Sequence, residues 1–490
     1  MAAAAGAIRA ADAPQWGQRH SRNMISTETG LPDRFDPTTG QNVKWVAPLG
    51  RQTYATPVVA GGKVLIGTNN ENPRDPRHKG DRGVLLCLNE ADGEFCWQLL
   101  VPKLSDDIYK DWPKAGIVSP ATVEGDRAYI VSNRGEVLCL DMKGLANGND
   151  GPYRDEARHM DPPGAEPLEL KDTDADIIWC YDVPAEIGLF PHDSAHSSIL
   201  IDGQFLYVNT NSGLKGSHKE VRMPEAPSLI VLDKTTGRLV AQDDEGIGPR
   251  IVHSTWSSPA LGEVNGRNLV FFCGGDGVCY AFEPVREVSS GDAVQTLKRV
   301  WRFDCDPTAP KENVQQYNGN RQVSPSNIKS MPVFYRNRLY VTVGGDIWWG
   351  KREAWLKCVD ATRTGDITAD GQLWSYPLQL HCCSTPSIWE GLVFVADCGR
   401  TVHCVDAETG QPYWTHDTGG EMWASTLVAD GKVYIGTRRG HFWILAAARE
   451  KKVLSSVKLD SAIIGSPVAA NGTLYVATMR NLYAAQKTSQ

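Results

Sequence analysis

Apolar residues in this chain come in short runs rich in β-branched and aromatic side chains, broken by Gly, Asp and Asn turns. That is the pattern of closely spaced strands, not helices. The runs repeat. Residues 385–391, 425–431 and 466–472 each read Ser or Thr, a Pro or small residue, an apolar pair and a turn ending in Gly, at spacings of 40 and 41 residues. The same unit starts upstream at Thr56, Ser119, Ser197, Ser258 and Met331, with longer insertions between copies. A second strand follows each start, as at Val64-Leu65-Ile66, Tyr129-Ile130-Val131 and Val433-Tyr434-Ile435. A third ends in an acidic or amide residue, and a Gly turn leads into a fourth, as in Asp406 to Gly410 and on to Trp414. A four-stranded unit of about 40 residues is one propeller blade. Eight copies predict an all-β, eight-bladed β-propeller with four-stranded antiparallel blades.

The last copy ends at Leu482-Tyr483-Ala484-Ala485 without a fourth strand, while Val43-Lys44-Trp45-Val46 stands unpaired before the first. Pairing the N-terminal strand into the last blade closes the ring and removes two exposed edges. Residues 1–40 then read as an N-terminal tail and extension, and 41–490 as one propeller. The single period overrides the multi-domain expectation that 490 residues would otherwise carry.

The Asp406-x-x-Thr409-Gly410-x-x-x-Trp414 turn resembles the tryptophan-docking repeat of the quinoprotein (PQQ) alcohol dehydrogenase-like superfamily. Trp16-Gly17, residues 26–32 and Trp45 are similar to the start of exported PQQ-like repeat proteins. The resemblance implies a periplasmic or otherwise exported protein. It implies either a dehydrogenase that uses PQQ and calcium or a non-catalytic scaffold such as the outer-membrane assembly lipoprotein, so fold alone leaves function open.

Composition narrows the partners. A formal charge of −8 argues against nucleic acid and anionic membrane, and no apolar run is long enough to span a bilayer. The Ala-rich residues 1–14 lack a basic start and an apolar core, and read as a trimmed export signal or a disordered tail. Of the twelve cysteines, Cys87, Cys139, Cys358 and Cys404 share one register, two residues before the Asn or Asp that ends the third strand. That shared register points to core packing instead of a disulfide framework. Cys273 with Cys279, and Cys398 with Cys404, are the spacings that would allow a bridge.

Loops between the first and second strands are minimal, whereas residues 69–82, 99–115, 182–195, 210–227, 304–327 and 344–354 are insertions on the opposite face. Insertions 142–175 and 284–295 belong to the plain face. Long loops in a compact fold carry function, so the decorated face is the expected binding face. The innermost strands enter the funnel from it, at 114–116, 192–196, 253–256, 327–330, 381–384, 421–423 and 463–465. Four of the 11 histidines, His192, His196, His253 and His381, fall in these windows.

These windows hold the candidate chemistry. His196, His253 and His381, with His192, could converge on a metal with Asp193 as an oxygen ligand, or line a watered channel as polar side chains, or supply a general base. Trp256 and Trp423, with Trp348-Trp349, offer flat faces to a planar cofactor or sugar, or pack between blades. Lys329, or Arg321 or Arg51, could bind a carboxylate. The resemblance implies that Cys382 and Cys383 form a disulfide lid over a quinone, that Trp256 or Trp423 stacks it, and that Asp193 or His192 acts as base; the other reading of the cysteine pair is two small residues at a crowded strand start. Asn327, Asp193 and Glu421 are the possible calcium ligands. No haem-attachment motif, dinucleotide-binding glycine loop or nucleophile elbow is present. The chain therefore reads as an exported propeller binding a small molecule, a carbohydrate or a partner protein on its loop-rich face. The enzymatic alternatives are a PQQ- and calcium-dependent alcohol or sugar dehydrogenase and a metal-assisted carbohydrate lyase or hydrolase.

Overall fold

The computed structural model describes residues 11–104, 106–288 and 293–488. Eight antiparallel sheets form the ring, and the innermost strands of blades one to eight are Val58–Ala60, Thr122–Glu124, Leu200–Asp202, Ala260–Val264, Val333–Tyr335, Ser387–Trp389, Leu427–Ala429 and Val468–Ala470. Blade eight is completed from the other end of the chain, where Val43–Pro48 pairs antiparallel with Asn481–Ala485. Blades three and four each gain a short parallel outer strand, Gln295–Thr296 and Gly365–Asp366.

Tryptophan docking joins the blades. The indole of Trp45 donates to Glu90 O of blade one, Trp97 to Met142 O of blade two, and Trp179 to Lys234 O of blade three, at 3.0, 2.9 and 3.1 Å. Trp301, Trp374 and Trp414 repeat the contact to blades five, six and seven. Each ring needs a bare surface beneath it. A Cβ added to Gly93, Gly237 or Gly410 would lie 2.7, 2.5 or 2.6 Å from the Trp docked on it.

The shared cysteine register has the same origin. Cys87, Cys139, Cys358 and Cys404 are the cross-strand partners of Trp97, Trp179, Trp374 and Trp414, each followed at once by a bulge. A small side chain opposite the indole leaves room for the ring, and the bulge turns it towards the next blade. All twelve cysteines are free thiols. Cys273 and Cys279 do face each other, with sulfurs 3.3 Å apart, whereas Cys398 lies against Met422 O and Cys404 faces Trp414.

The N-terminal extension differs from the expected tail. Residues 13–26 run across the central channel and bond to the innermost strand of every blade or, in blade three, to the residues that lead into it. Ala13 pairs with Val59, and Pro14 O accepts from Val123 N. His20 O and Ser21 O accept from Leu261 N and Phe334 N, the Asn23 amide brackets Ile388, Met24 O accepts from Val428 N, and Ser26 Oγ donates to Ala469 O. Blade three is met by Arg22, which is fully buried and has no carboxylate partner among the described residues. Its five N–H donors go to Pro259 O, Trp16 O, Ser198 Oγ, Ser198 O and Ile199 O at 2.9–3.2 Å. Burial lowers its pKa to about 9, and full satisfaction of the guanidinium keeps it cationic at neutral pH. Inner-strand edges present unpaired backbone groups, and this segment caps them. The disordered-tail reading of residues 1–14 is therefore replaced from Ala11 on; residues 1–10 lie outside the described residues.

Two stability measurements follow. Gly410→Ala should lower the thermal midpoint more than Gly431→Ala, since both have φ near +70° (71° and 67°) but only the first Cβ meets Trp374. The gap should be about 1–3 kcal/mol, the cost of overpacking, and equal losses would show that the docking is loose. Arg22→Ala leaves buried carbonyls without donors and should cost on the order of 3 kcal/mol, read by denaturant unfolding.

Candidate funnel site

Where the innermost strands begin on the decorated face, a cavity of about 110 Å³ opens at the centre of the ring. Blades one to eight line it with Tyr54, Val118, His196, Trp256, Lys329, Cys383, Trp423 and Ile464 in turn. Trp348 enters from the blade-five insertion, and Trp16 from the N-terminal segment closes the channel side. Trp348 is 37 % exposed, so it stands towards solvent.

Asp346 organises the blade-five side. One carboxylate oxygen accepts the backbone N–H groups of Trp348 and Trp349. The other accepts from Asn327 Nδ2 and Lys329 Nζ, both at 3.1 Å, and faces His253 Nδ1 at 3.3 Å. Burial opposes ionisation, yet Lys329 and His253 outweigh it and hold the carboxyl well below the usual range. The same ammonium lies 4.0 Å over the Trp256 ring, which also carries His196 at 4.1 Å. Burial pulls His196 down to about 3, so it is neutral.

Beside this cavity three imidazoles meet. One ring nitrogen each from His192, His218 and His253 lies within 4.8 Å of the others. Gly213 makes the approach possible, because a Cβ there would sit 2.4 Å from His192 Cβ. His192 donates Nδ1–H to Leu214 O at 2.6 Å, which leaves Nε2 as a lone pair, and His218 Nδ1 lies 3.0 Å from Gly216 O. The Asp193 carboxylate lies 3.8 Å from both His192 Nε2 and His253 Nε2. Asp193 is held at φ +63° by Tyr109 O and Trp112 N. Burial raises its pKa to about 7 and pushes His192 well below the ordinary imidazole value. His192 Nε2 and Asp193 Oδ1 are buried without a hydrogen-bond partner among the described residues.

The structure regroups several expected partners. Of His196, His253 and His381, only His253 joins the cluster. His381 turns Nδ1 to Gly345 O at 2.5 Å, and its Nε2 lies 3.5 Å from Cys383 Sγ. Cys382 points away from the cavity, with Sγ at 3.0 Å from Ala396 O, and burial raises its thiol pKa. Cys383 faces the cavity; a hydrogen bond from Cys398 and the nearby His381 lower its pKa well below the ordinary thiol value. Arg321 braces the blade-five loop through Ile347 O and Gly350 O. Sequence reasoning did not single out His218, Asp346, Tyr54 or the site role of Trp16. His218 lay in a named insertion, and Trp16 had marked a resemblance only.

Residues 352–453 match a family of PQQ-like repeats described as outer membrane protein assembly factor BamB. No curated protein matches the chain in sequence. Among solved structures it is similar to BamB from Moraxella catarrhalis, at 14% identity and TM-score 0.53, over 91% of this chain and 97% of that one. A europium-containing methanol dehydrogenase matches at 13% identity and TM-score 0.58, over 95% and 89%. The computationally designed Ika8 protein matches at 10% identity and TM-score 0.52, over 91% and 99%. The chain has the fold of an eight-bladed β-propeller. Among its described residues no helix is long and apolar enough to cross a membrane.

The funnel of this propeller does not fit a bound quinone with calcium. Trp256 is already covered by Lys329 and His196. The two thiols of the 382–383 pair point different ways and are unbonded. Glu421 directs one oxygen to Trp423 Nε1 and the other to Arg438, while Asn327 is tied to Asp346, so the oxygen ligands are not assembled. A cavity of about 110 Å³ is also small beside the 300–1,000 Å³, roughly, of cofactor pockets.

Thiol reactivity tests this geometry. With limiting iodoacetamide at neutral pH, Cys383 should be alkylated early, together with Cys96, whose pKa falls to about 6 through its contacts with Cys87 and Lys63. The buried Cys87, Cys139, Cys358 and Cys404 should lag, as read by peptide mass spectrometry. Labelling of Cys382 before Cys383 would contradict the opposed orientations of the two thiols.

Proposed function

We propose that this protein is an exported binding propeller that takes a small ligand with a flat apolar face, about one sugar ring in size, into the funnel on its loop-rich face. The observation carrying this reading is the cavity itself, to which all eight blades and Trp16 contribute. Trp16, Trp348 and Trp423 supply stacking surface, while Lys329, His196 and Cys383 supply the few polar groups that orient a ligand. Export is supported by the family likeness of residues 352–453. A partner protein on the same face is the second reading, favoured by exposed Ile108, Trp112, Met223 and Val323 on its insertions. The methanol dehydrogenase likeness keeps oxidation of an alcohol or sugar with PQQ as a third, against the crowding around Trp256.

Intrinsic tryptophan fluorescence separates these. Titration with neutral, acidic and amino monosaccharides should give saturable quenching, and Trp423→Ala should weaken it at least tenfold. Saturable binding of PQQ with Ca²⁺, and no response to any sugar, would replace this reading with the quinoprotein one and call for a dye-linked dehydrogenase assay.

A further inference from the structure

We propose that His192, His218 and His253, with Asp193, form a binding site for one late first-row divalent metal ion, Zn²⁺ by preference, in the wall of the funnel. Three imidazole nitrogens already lie within 4.8 Å of one another, against roughly 3.4 Å for nitrogens placed tetrahedrally at 2.0–2.1 Å from zinc. Binding would turn the three rings towards a common centre to close that gap. Two of the rings are oriented through Nδ1, His192 on Leu214 O and His218 on Gly216 O, while His253 Nδ1 faces the Asp346 carboxylate at 3.3 Å. Outer hydrogen bonds of this kind fix the tautomer of metal-binding histidines.

Two further observations point to a ligand. His192 is fully buried, yet its Nε2 makes no hydrogen bond, and Asp193 Oδ1 beside it is likewise unpartnered. Buried polar atoms without partners are costly, and a cation between them satisfies both at once. Asp193 also holds a left-handed conformation, at φ +63°, that keeps its carboxylate 3.8 Å from both imidazoles. The donor set is nitrogen-rich, which suits Zn²⁺, Co²⁺, Ni²⁺ or Cu²⁺ and not the oxygen-seeking Ca²⁺ or lanthanides. His253 packs against both Trp256 and Trp348, with ring centres 5.6 and 5.3 Å away, so the ion would stand next to the cavity.

The assignment is independent of what the funnel binds, and its test needs no organic ligand. The full chain, stripped with a chelator, is titrated with Co²⁺, then with Zn²⁺ in competition. We expect one equivalent per chain, visible d–d absorption and a rise in thermal midpoint. His218→Ala, on a half-buried loop position, should weaken binding at least tenfold, as should Asp193→Asn, whose new side chain tolerates positive φ. His416→Ala, on the outer strand of blade six, should bind as the parent does. Unchanged affinity in the folded His218→Ala protein, an equal loss in His416→Ala, or displacement of Co²⁺ by equimolar Ca²⁺ or Eu³⁺ would each overturn the assignment.

Discussion

The inner edge of a propeller is its weak point. Every innermost strand turns one row of backbone groups towards the channel, where no further strand exists to pair with it. In this protein the chain meets that demand with its own beginning. Residues 13–26 cross the channel and bond to all eight blades, with Arg22 placing five donors on carbonyl and hydroxyl oxygens. Residues 13–26 thus serve as a plug, and the strand that follows, Val43–Pro48, closes the ring. One segment settles two problems of closure, and the disc is left open to the funnel on its decorated face.

The plug also decides what the funnel is. Trp16 gives the cavity a floor, and the ring of strand starts gives it walls. Within those walls Asp346 acts as a hub: it holds the loop of Trp348 and Trp349 by their backbone and draws Lys329 and His253 together. Lys329 in turn lies on Trp256. A buried carboxylate with one cation and one imidazole is costly to desolvate, and the contacts it organises offset that cost. The electrostatics and the aromatic surface are therefore one structure.

The blades were legible because their grammar is local. The small residue opposite a tryptophan, the bulge beside it and the glycine under the docked ring all recur at a fixed spacing. The shared register of Cys87, Cys139, Cys358 and Cys404 is that packing written in the sequence. The strand-start windows named Trp256, Lys329, Cys383, Trp423 and His196, which line the cavity. What stayed hidden was pairing across insertions. His218 reaches His192 and His253 only because the 210–227 loop folds back over Gly213, and no period encodes that fold.

The amino-acid order by itself determined the number of blades, their strand order, the closure by the N-terminal strand and the face that carries the insertions, since the blades and loops follow from a period or a turn within about 40 residues and the closure from the fourth strand that the last copy lacks. Tertiary structure alone decided which histidines meet, that Cys382 faces the blade while Cys383 faces the cavity, and that Trp16 floors the funnel. The reason is physical. Strand formation depends on neighbours in sequence, but a site at the centre of a ring is assembled from residues hundreds of positions apart, and their distances are set only when the ring closes.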